Sequence, residues 1–458
     1  MTMKRFITSL VLALLCIISL AETPKYIFYF IGDGMGINSV TATEMYNAAV
    51  AGEYAPRPLN FSVFPYRSFV STYSEDNMVT DSAAAGSALS CGHKCPSYSL
   101  CISNGECFES LWRQLRREGW GAAVVTTVGI NHATPSAFYA NAENRREYHK
   151  ILNQLIYEDR IDFAAGGGFI VEKGSKGKHW IEKAREAGWN VFVGDELTED
   201  ACKAPKTMYL WSPSKKQMPY VIDNETDIQL ADMTRAAIAN MQCNHPEAFC
   251  IMIEGGRIDY GAHARDAATT IREVNAMADA VDVAMAFYEK HPDETLIVVT
   301  ADHETGGVII GGGESSQQRM ELLQWQNVSK NTLTKRLSAL RKKDKPEWEE
   351  AKAIISDALG LWKHIPMDEK QEAELRKEFE ESFIQGDSSM DVNLYSSDEQ
   401  LASLSIEILD KMAGVFFTHS SHSSGAVPVY AIGAGAELFS TAKDNTQLPQ
   451  LMYSLIKK

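Results

Sequence analysis

Tyr26, Ile27, Phe28, Tyr29, Phe30 and Ile31 form an unbroken apolar run rich in aromatic and β-branched side chains. Such a run predicts a strand buried on both faces, as in a parallel sheet. Residues 248–253 and 296–300 repeat the pattern, 68–73 and 122–127 predict further strands, and 427–432 predicts a closing strand. Over 161–189 an apolar stretch, a tight turn at Gly166, Gly167 and Gly168, and a helical stretch read as one βα unit. Ile271, Val274, Met277, Val281 and Met285 recur at helical spacing and predict the core stripe of a helix. Residues 198–223 are mixed and turn-rich and predict no element. Strands alternating with helices imply an α/β fold: a central, largely parallel sheet flanked by helices on both faces, with its site at the carboxyl ends of the strands.

The periodicity changes between 314 and 410. Leu333, Leu337 and Leu340, then Ile354, Ile355, Leu359 and Leu361, then Leu375, Phe379 and Phe383 mark amphipathic helices in a charged background. We read 314–410 as a helical insertion into an α/β domain made of 22–313 and 411–458, serving as a lid or wall over the site or as a dimer contact. The charge runs Arg341-Lys342-Lys343 and Glu378-Phe379-Glu380-Glu381 read as solvated helix faces.

The chain has 458 residues, 45% hydrophobic and 23% charged, enough for one large core with an insertion. A formal net charge of -16 excludes nucleic acid and anionic membrane surfaces as partners, since the long-range field repels polyanions. A small anion needs only local positive charge. Lys4 and Arg5 precede an apolar run over 6–20, and Ser19 and Ala21 are small residues at the positions a signal peptidase reads. Residues 1–21 therefore read as a signal peptide, with a periplasmic or secreted mature chain that has no membrane span. The run falls short of the roughly twenty residues that span a bilayer, and Leu15 before Cys16 is too large for a lipobox. Seven cysteines then remain. Cys95, Cys101 and Cys107 suggest a disulfide-stapled polar loop, Cys243 and Cys250 a second small loop, and the odd number leaves a free thiol, with Cys91 and Cys202 also unassigned.

Polar residues gather where the strands end. Asp33 sits in Gly32-Asp33-Gly34-Met35-Gly36, whose spacing is not that of a dinucleotide loop and whose acid would repel a pyrophosphate, so a metal ion suits it better. Asp81 and Ser82 precede Ala83-Ala84-Ala85-Gly86, a helix start too crowded for bulk, where unpaired N–H groups would stabilise an alkoxide or phosphoserine at Ser82. Thr134 reads as a cap with Pro135 opening a helix, and Arg145 as a helical surface charge. Glu254, Asp259 and His263 bunch after one strand, and a helical turn would put Asp259 and His263 on one face. Asp302 and His303 follow another strand, and His419 and His422 lie in a serine-rich loop before the last.

Taken in order, the motifs Asp33-Gly34-Met35-Gly36, Thr80-Asp81-Ser82-Ala83-Ala84-Ala85-Gly86, His132-Ala133-Thr134-Pro135, Glu254-Gly255-Gly256 with Asp259 and His263, Thr300-Ala301-Asp302-His303-Glu304 and the closing stretch from His422 resemble the alkaline phosphatase family from about residue 26 to 440. The resemblance implies two zinc ions and one magnesium ion. Asp259, His263 and His422 would hold one zinc; Asp33, Asp302 and His303 the other, beside Ser82; Asp33, Thr134 and Glu254 the magnesium. It further implies Ser82 as nucleophile on a phosphomonoester, a phosphoserine intermediate, Arg145 as the clamp on the phosphoryl oxygens and Asp81 as the residue orienting it. The products would be an alcohol and inorganic phosphate, with broad tolerance of the leaving group. His132 stands where enteric-type members carry aspartate, and Tyr260 where they carry lysine, so both are expected beside the metals. Spacing to the closing strand favours His422 over His419. Family members are commonly homodimers. A phosphodiesterase or another hydrolase of the superfamily is the competing reading.

Overall fold

The structure is a computed structural model describing residues 23–172, 174, 176–198, 203–311, 318–386 and 390–457. The predicted signal peptide and Cys202 lie outside the described residues. Nine strands make the main sheet: β1 (Tyr26–Gly32), β2 (Tyr66–Val70), β3 (Gly121–Thr126), β4 (Phe163–Gly166), β5 (Asn190–Val193), β6 (Thr207–Leu210), β7 (Phe249–Gly255), β8 (Thr295–Ala301) and β9 (Val427–Gly433). Their order is β2-β9-β8-β1-β7-β3-β4-β6-β5, and β9 alone pairs antiparallel with its neighbours. An apolar run can satisfy its backbone only between two partners, and β1 lies between β7 and β8, parallel to both.

Register then determines the site. Gly32 of β1 is level with Gly255 of β7 and Ala301 of β8, and Thr126 of β3 is level with Glu254. Asp33, Glu254 and Asp302 consequently emerge along one edge of the sheet.

The helices that matter here are α1 (Ile37–Val50), α2 (Ser82–Cys91), α3 (Leu230–Asn244), α4 (Arg257–His263) and α5 (Ala267–Tyr288), followed by α6 (Lys330–Arg341), α7 (Trp348–Leu359), α8 (Glu369–Phe379) and α9 (Gln400–Ala413). Ile271, Val274, Met277 and Val281 are buried, as the helical spacing predicts, each contributing roughly 1.5–3 kcal/mol. Helices α6 to α9 bury Leu333, Leu337, Ile355, Leu375 and Leu409 in a cluster that also takes in Tyr46 of α1, Tyr260 of α4 and Ile271 of α5.

Several expectations need correction. The helix at 133–136 (Ala133–Ser136) begins one residue before Thr134, so Thr134 is a helical residue and His132 stands at the cap position. Arg145 lies on a turn, its N–H donating to the Tyr98 carbonyl at 2.7 Å, and the next helix opens at Tyr148. Residues 198–223, silent in the sequence, supply β6 and a turn of 3-10 helix at Val221–Asp223. Residues 390–399 contain a hairpin, Met390–Val392 with Ser397–Glu399, which the helical periodicity did not predict. The thiols of Cys95 and Cys101 have Cys91 as their sulfur neighbour, whereas Cys107 is exposed. Cys243 is exposed on α3 and Cys250 is buried in β7 with its thiol donating to the Gly121 carbonyl, so both are free thiols. No helix among the described residues is long and apolar enough to cross a membrane.

Candidate active site

Asp81 is the N-cap of α2. Its carboxylate accepts from the N–H groups of Ala83 and Ala84, both at 3.2 Å. Ser82, the first helical residue, is therefore not needed as the cap, and its Oγ hydrogen-bonds His303 Nε2 at 3.3 Å. The crowding read from the alanine run is real: a Cβ on Gly86 would stand 3.2 Å from the Ala137 Cβ and 3.3 Å from the Thr134 Cα. Helix α2 and the Thr134 turn approach this closely because the residues between them are small.

The sheet edge brings three donor groups together. Asp259, His263 and His422 converge in one; Asp33, Asp302 and His303 in a second; Asp33, His132 and Glu254 in a third, the ligand-type atoms of each group lying within 4.8 Å of one another. His263 and His422 face each other with their Nε2 atoms 3.1 Å apart, while their Nδ1 atoms face the carbonyls of Ser420 at 2.6 Å and Thr80 at 2.9 Å. A carbonyl can only accept, so each Nδ1 carries the proton and both Nε2 lone pairs point into the same space, with Asp259 Oδ1 3.3 Å from the His263 Nε2. His419 is half-buried and outside these groups. Asp302 Oδ1 accepts from the N–H groups of Gly34 at 3.0 Å and His303 at 2.9 Å. Gly34 adopts φ +70° with Thr305 Oγ1 and Asp259 Oδ1 within 2.8 Å of where a Cβ would stand, so only glycine fits this turn.

The electrostatics are severe without a counter-charge. Asp33, Glu254, Asp259 and Asp302 are all fully buried. Burial pushes the Asp33 carboxyl well above the usual range, and the neighbouring Asp302, Asp259 and Glu254 push it further. Glu254 and Asp302 are raised for the same reason, burial first. Asp259 goes the other way: the imidazoles of His263, His422 and His303 outweigh its burial. Two unit charges 4 Å apart interact by about 4 kcal/mol in a medium of this kind, so the cluster is a strong attractor for cations.

Beside these groups Arg145 donates from Nη1 to Asp81 Oδ2 at 3.0 Å and its Nη2 lies 2.9 Å from His132 Nε2. Burial opposes its charge, but Asp81 outweighs that and holds the guanidinium protonated. Tyr260 stacks on Tyr395, in the hairpin that follows Met390–Val392, at 3.6 Å between ring centroids and 6° between planes, and Tyr395 meets His263 edge-on at 5.2 Å.

Every predicted site residue thus lies in one cluster. His132, expected beside the metals, is among the groups' ligand-type atoms, and the Thr134 Oγ1 is buried nearby without a partner. Three contributors escaped the sequence reading. Thr305 donates to Asp259 Oδ1 at 2.6 Å, Thr126 hydrogen-bonds Glu254, and Tyr395 stacks over the site. The first two had a weak signal, a threonine at or just beyond a strand end; Tyr395 had none, because its hairpin breaks the helical period of the insertion.

Comparison with known proteins agrees with this geometry. Residues 24–457 match the family profile described as alkaline phosphatase. Alkaline phosphatase 4 of Bacillus subtilis (strain 168) is 26% identical over 443 residues, covering 94% of this chain and 89% of that protein. The tissue-nonspecific alkaline phosphatase of Homo sapiens is 29% identical over 338 residues, 62% of this chain and 63% of that one. Among solved structures, the cold-active alkaline phosphatase of the psychrophile Shewanella sp. superposes with a TM-score of 0.79 at 26% identity, over 94% of this chain and 100% of that one. The chain is a hydrolase and belongs to the alkaline phosphatase family.

Proposed function

We propose that the protein hydrolyses phosphomonoesters of broad leaving-group type through a phosphoserine at Ser82, in a site holding two zinc ions and one magnesium ion. The observation that carries this reading is the Ser82 hydroxyl at a helix N-terminus, in contact with His303 of one donor group and next to Asp81, which holds the Arg145 guanidinium.

Fit to metals is tested by the atoms left over. Both oxygens of Asp33, Asp259 Oδ2, Asp302 Oδ2, Glu254 Oε1 and Thr134 Oγ1 are buried without hydrogen-bond partners. Buried polar atoms are normally paired, and an unpaired ionised carboxylate is far costlier still. Mixed imidazole and carboxylate donors suit zinc; the oxygen-rich group suits magnesium, with His132 as an added neighbour. We assign Asp259, His263 and His422 to one zinc, Asp33, Asp302 and His303 to the other, and Asp33, Thr134 and Glu254 to magnesium. Bound there, the ions supply positive charge that lowers the pKa of a neighbouring hydroxyl and offsets charge building on the phosphoryl and leaving oxygens.

The chain's own residues do the rest. Ser82 Oγ gives up its proton to solvent and attacks phosphorus in line as the ester P–O bond breaks, and the departing oxygen takes a proton from solvent. The phosphoryl group then lies on the first residue of α2, where the helix N-terminus favours negative charge. Arg145, held by Asp81, grips two non-bridging oxygens, each charge-assisted hydrogen bond contributing roughly 1.5–3 kcal/mol. Water attacks the phosphoserine from the side the leaving group vacated, freeing Ser82 and inorganic phosphate.

We further propose that residues 1–21 are a signal peptide for export, that 314–410 is an insertion walling the site, and that the mature protein is compatible with a homodimer. Assaying an aryl phosphate beside a bis-aryl phosphate tests the main reading. A preference for the monoester of at least a hundredfold in kcat/KM is expected, and a preference for the diester would replace it with a phosphodiesterase.

A further inference from the structure

Beyond the Tyr260–Tyr395 pair lies a cavity of about 260 Å³ whose walls include Trp211, Tyr220, Arg257, Tyr260 and Tyr395. Arg257 is the first residue of α4 and is only 4% exposed. Its guanidinium lies 3.5 Å from the ring centre of Tyr220 and 4.8 Å from that of Tyr260. Its Nε is buried without a hydrogen-bond partner, and no ion pair of Arg257 occurs among the described residues. Glu273 feels its charge but spends Oε1 on the Val221 N–H at 2.8 Å.

An arginine buried to this extent almost always has a carboxylate or phosphate on its N–H edge. Here aromatic rings take the faces, and the planar fork of donors, suited to bidentate recognition of an oxyanion, is left over. Lys215 and Lys335 also line the cavity, and neither makes an ion pair among the described residues. Of the two acids in the lining, Asp223 is committed to Ser329, accepting from its N–H and hydroxyl at 2.8 Å each; Glu225 is exposed. In a chain of net charge -16 this is a local reversal of sign. Tyr260 connects the cavity to the phosphoryl site: its ring borders His132 at 6.3 Å between centroids, and its stacking partner Tyr395 abuts His263.

We propose that this cavity is the leaving-group subsite and that it selects phosphomonoesters whose leaving group carries a second oxyanion, a carboxylate or a further phosphate, bound by Arg257. Tyr260 and Tyr395 offer flat apolar surface to the part of the leaving group between the two anions. The inference rests on the phosphomonoesterase reading above.

The test compares 3-carboxyphenyl phosphate, 3-phosphonophenyl phosphate and the neutral 3-carbamoylphenyl phosphate on the metal-loaded, full-length enzyme. At least one of the two anionic substrates should exceed the neutral one in kcat/KM by roughly tenfold, the scale of one charge-assisted hydrogen bond, and the better of the two identifies the oxyanion. Arg257→Gln should bring that ratio to between one and two. Lys335→Gln, at an exposed position that folding does not depend on, should lower it two- to threefold. Turnover of all three substrates at equal kcat/KM, or a ratio undiminished in Arg257→Gln, overturns the subsite alone. Turnover of none overturns the phosphomonoesterase reading and the subsite with it.

Discussion

Arg145 and Asp81 share a 3.0 Å hydrogen bond, and the same carboxylate caps the helix that begins with Ser82. One acid thus couples the position of the proposed nucleophile Ser82 to that of the guanidinium, and its Oδ1 also accepts from the Tyr98 N–H at 2.9 Å. Asn caps a helix about as well as Asp but lacks the charge. Asp81→Asn is therefore expected to keep its thermal stability while kcat/KM falls about tenfold, mostly through KM. Arg145→Ala should fall further, about a hundredfold. Equal kinetics in Asp81→Asn and wild type would show that Arg145 does not depend on this contact.

Ser82→Ala removes the proposed nucleophile and leaves the donor groups and Arg145 in place. Turnover of an aryl phosphate should drop by at least about a thousandfold, with inorganic phosphate still binding in an equilibrium titration. A variant with substantial turnover would require a different acceptor for the phosphoryl group.

Dialysis against a chelator should abolish activity and lower the melting temperature, because four buried carboxylates then face one another unshielded. Added zinc together with magnesium should restore both. An enzyme indifferent to chelation would contradict the assignment of the three donor groups.

Tyr395→Ala removes the ring stacked on Tyr260, an interaction of about 1 kcal/mol beyond its burial. We expect KM for aryl phosphates to rise several-fold with kcat little altered, and Tyr395→Phe to behave as wild type. Unchanged KM in Tyr395→Ala would remove the insertion hairpin from the substrate's path.

Asp391 gives the fold an acid-sensitive contact away from the site. Burial alone would raise its carboxyl, but Lys330 at 2.8 Å, with Ser403 and Arg265, brings it down to about 2. A carboxyl lowered in the folded state adds stability above its unfolded pKa of about 3.9 and loses it as pH falls towards 2. Asp391→Asn should be less stable than wild type by about 2 kcal/mol at pH 7, and the gap should close by about pH 2. A gap independent of pH would mean that packing, not charge, sets it.

Strands β1, β7 and β8 were legible because each is an apolar run too long and too β-branched for a turn, and their polar followers named Asp33, Glu254 and Asp302 at once. Spacing of four residues placed Asp259 and His263 on one helical face, as α4 bears out. Thr134 and Arg145 were misread locally, as a cap and as a helical surface charge. The Thr134 backbone packs against Gly86 and the Arg145 guanidinium bonds Asp81, partners that lie far away in sequence. Tyr395 was invisible because a short hairpin in a helical background leaves no period to detect.

The sequence by itself determined which residues carry metal-type and nucleophilic chemistry, since side-chain type and strand-end position are local properties. Only the tertiary structure decided that Asp81 caps α2 while holding Arg145, that His422 faces His263, and that Arg257 stays buried with no ion pair among the described residues. Each of these depends on what another part of the chain places within about 3–4 Å, the range over which hydrogen bonds and close charge pairs act.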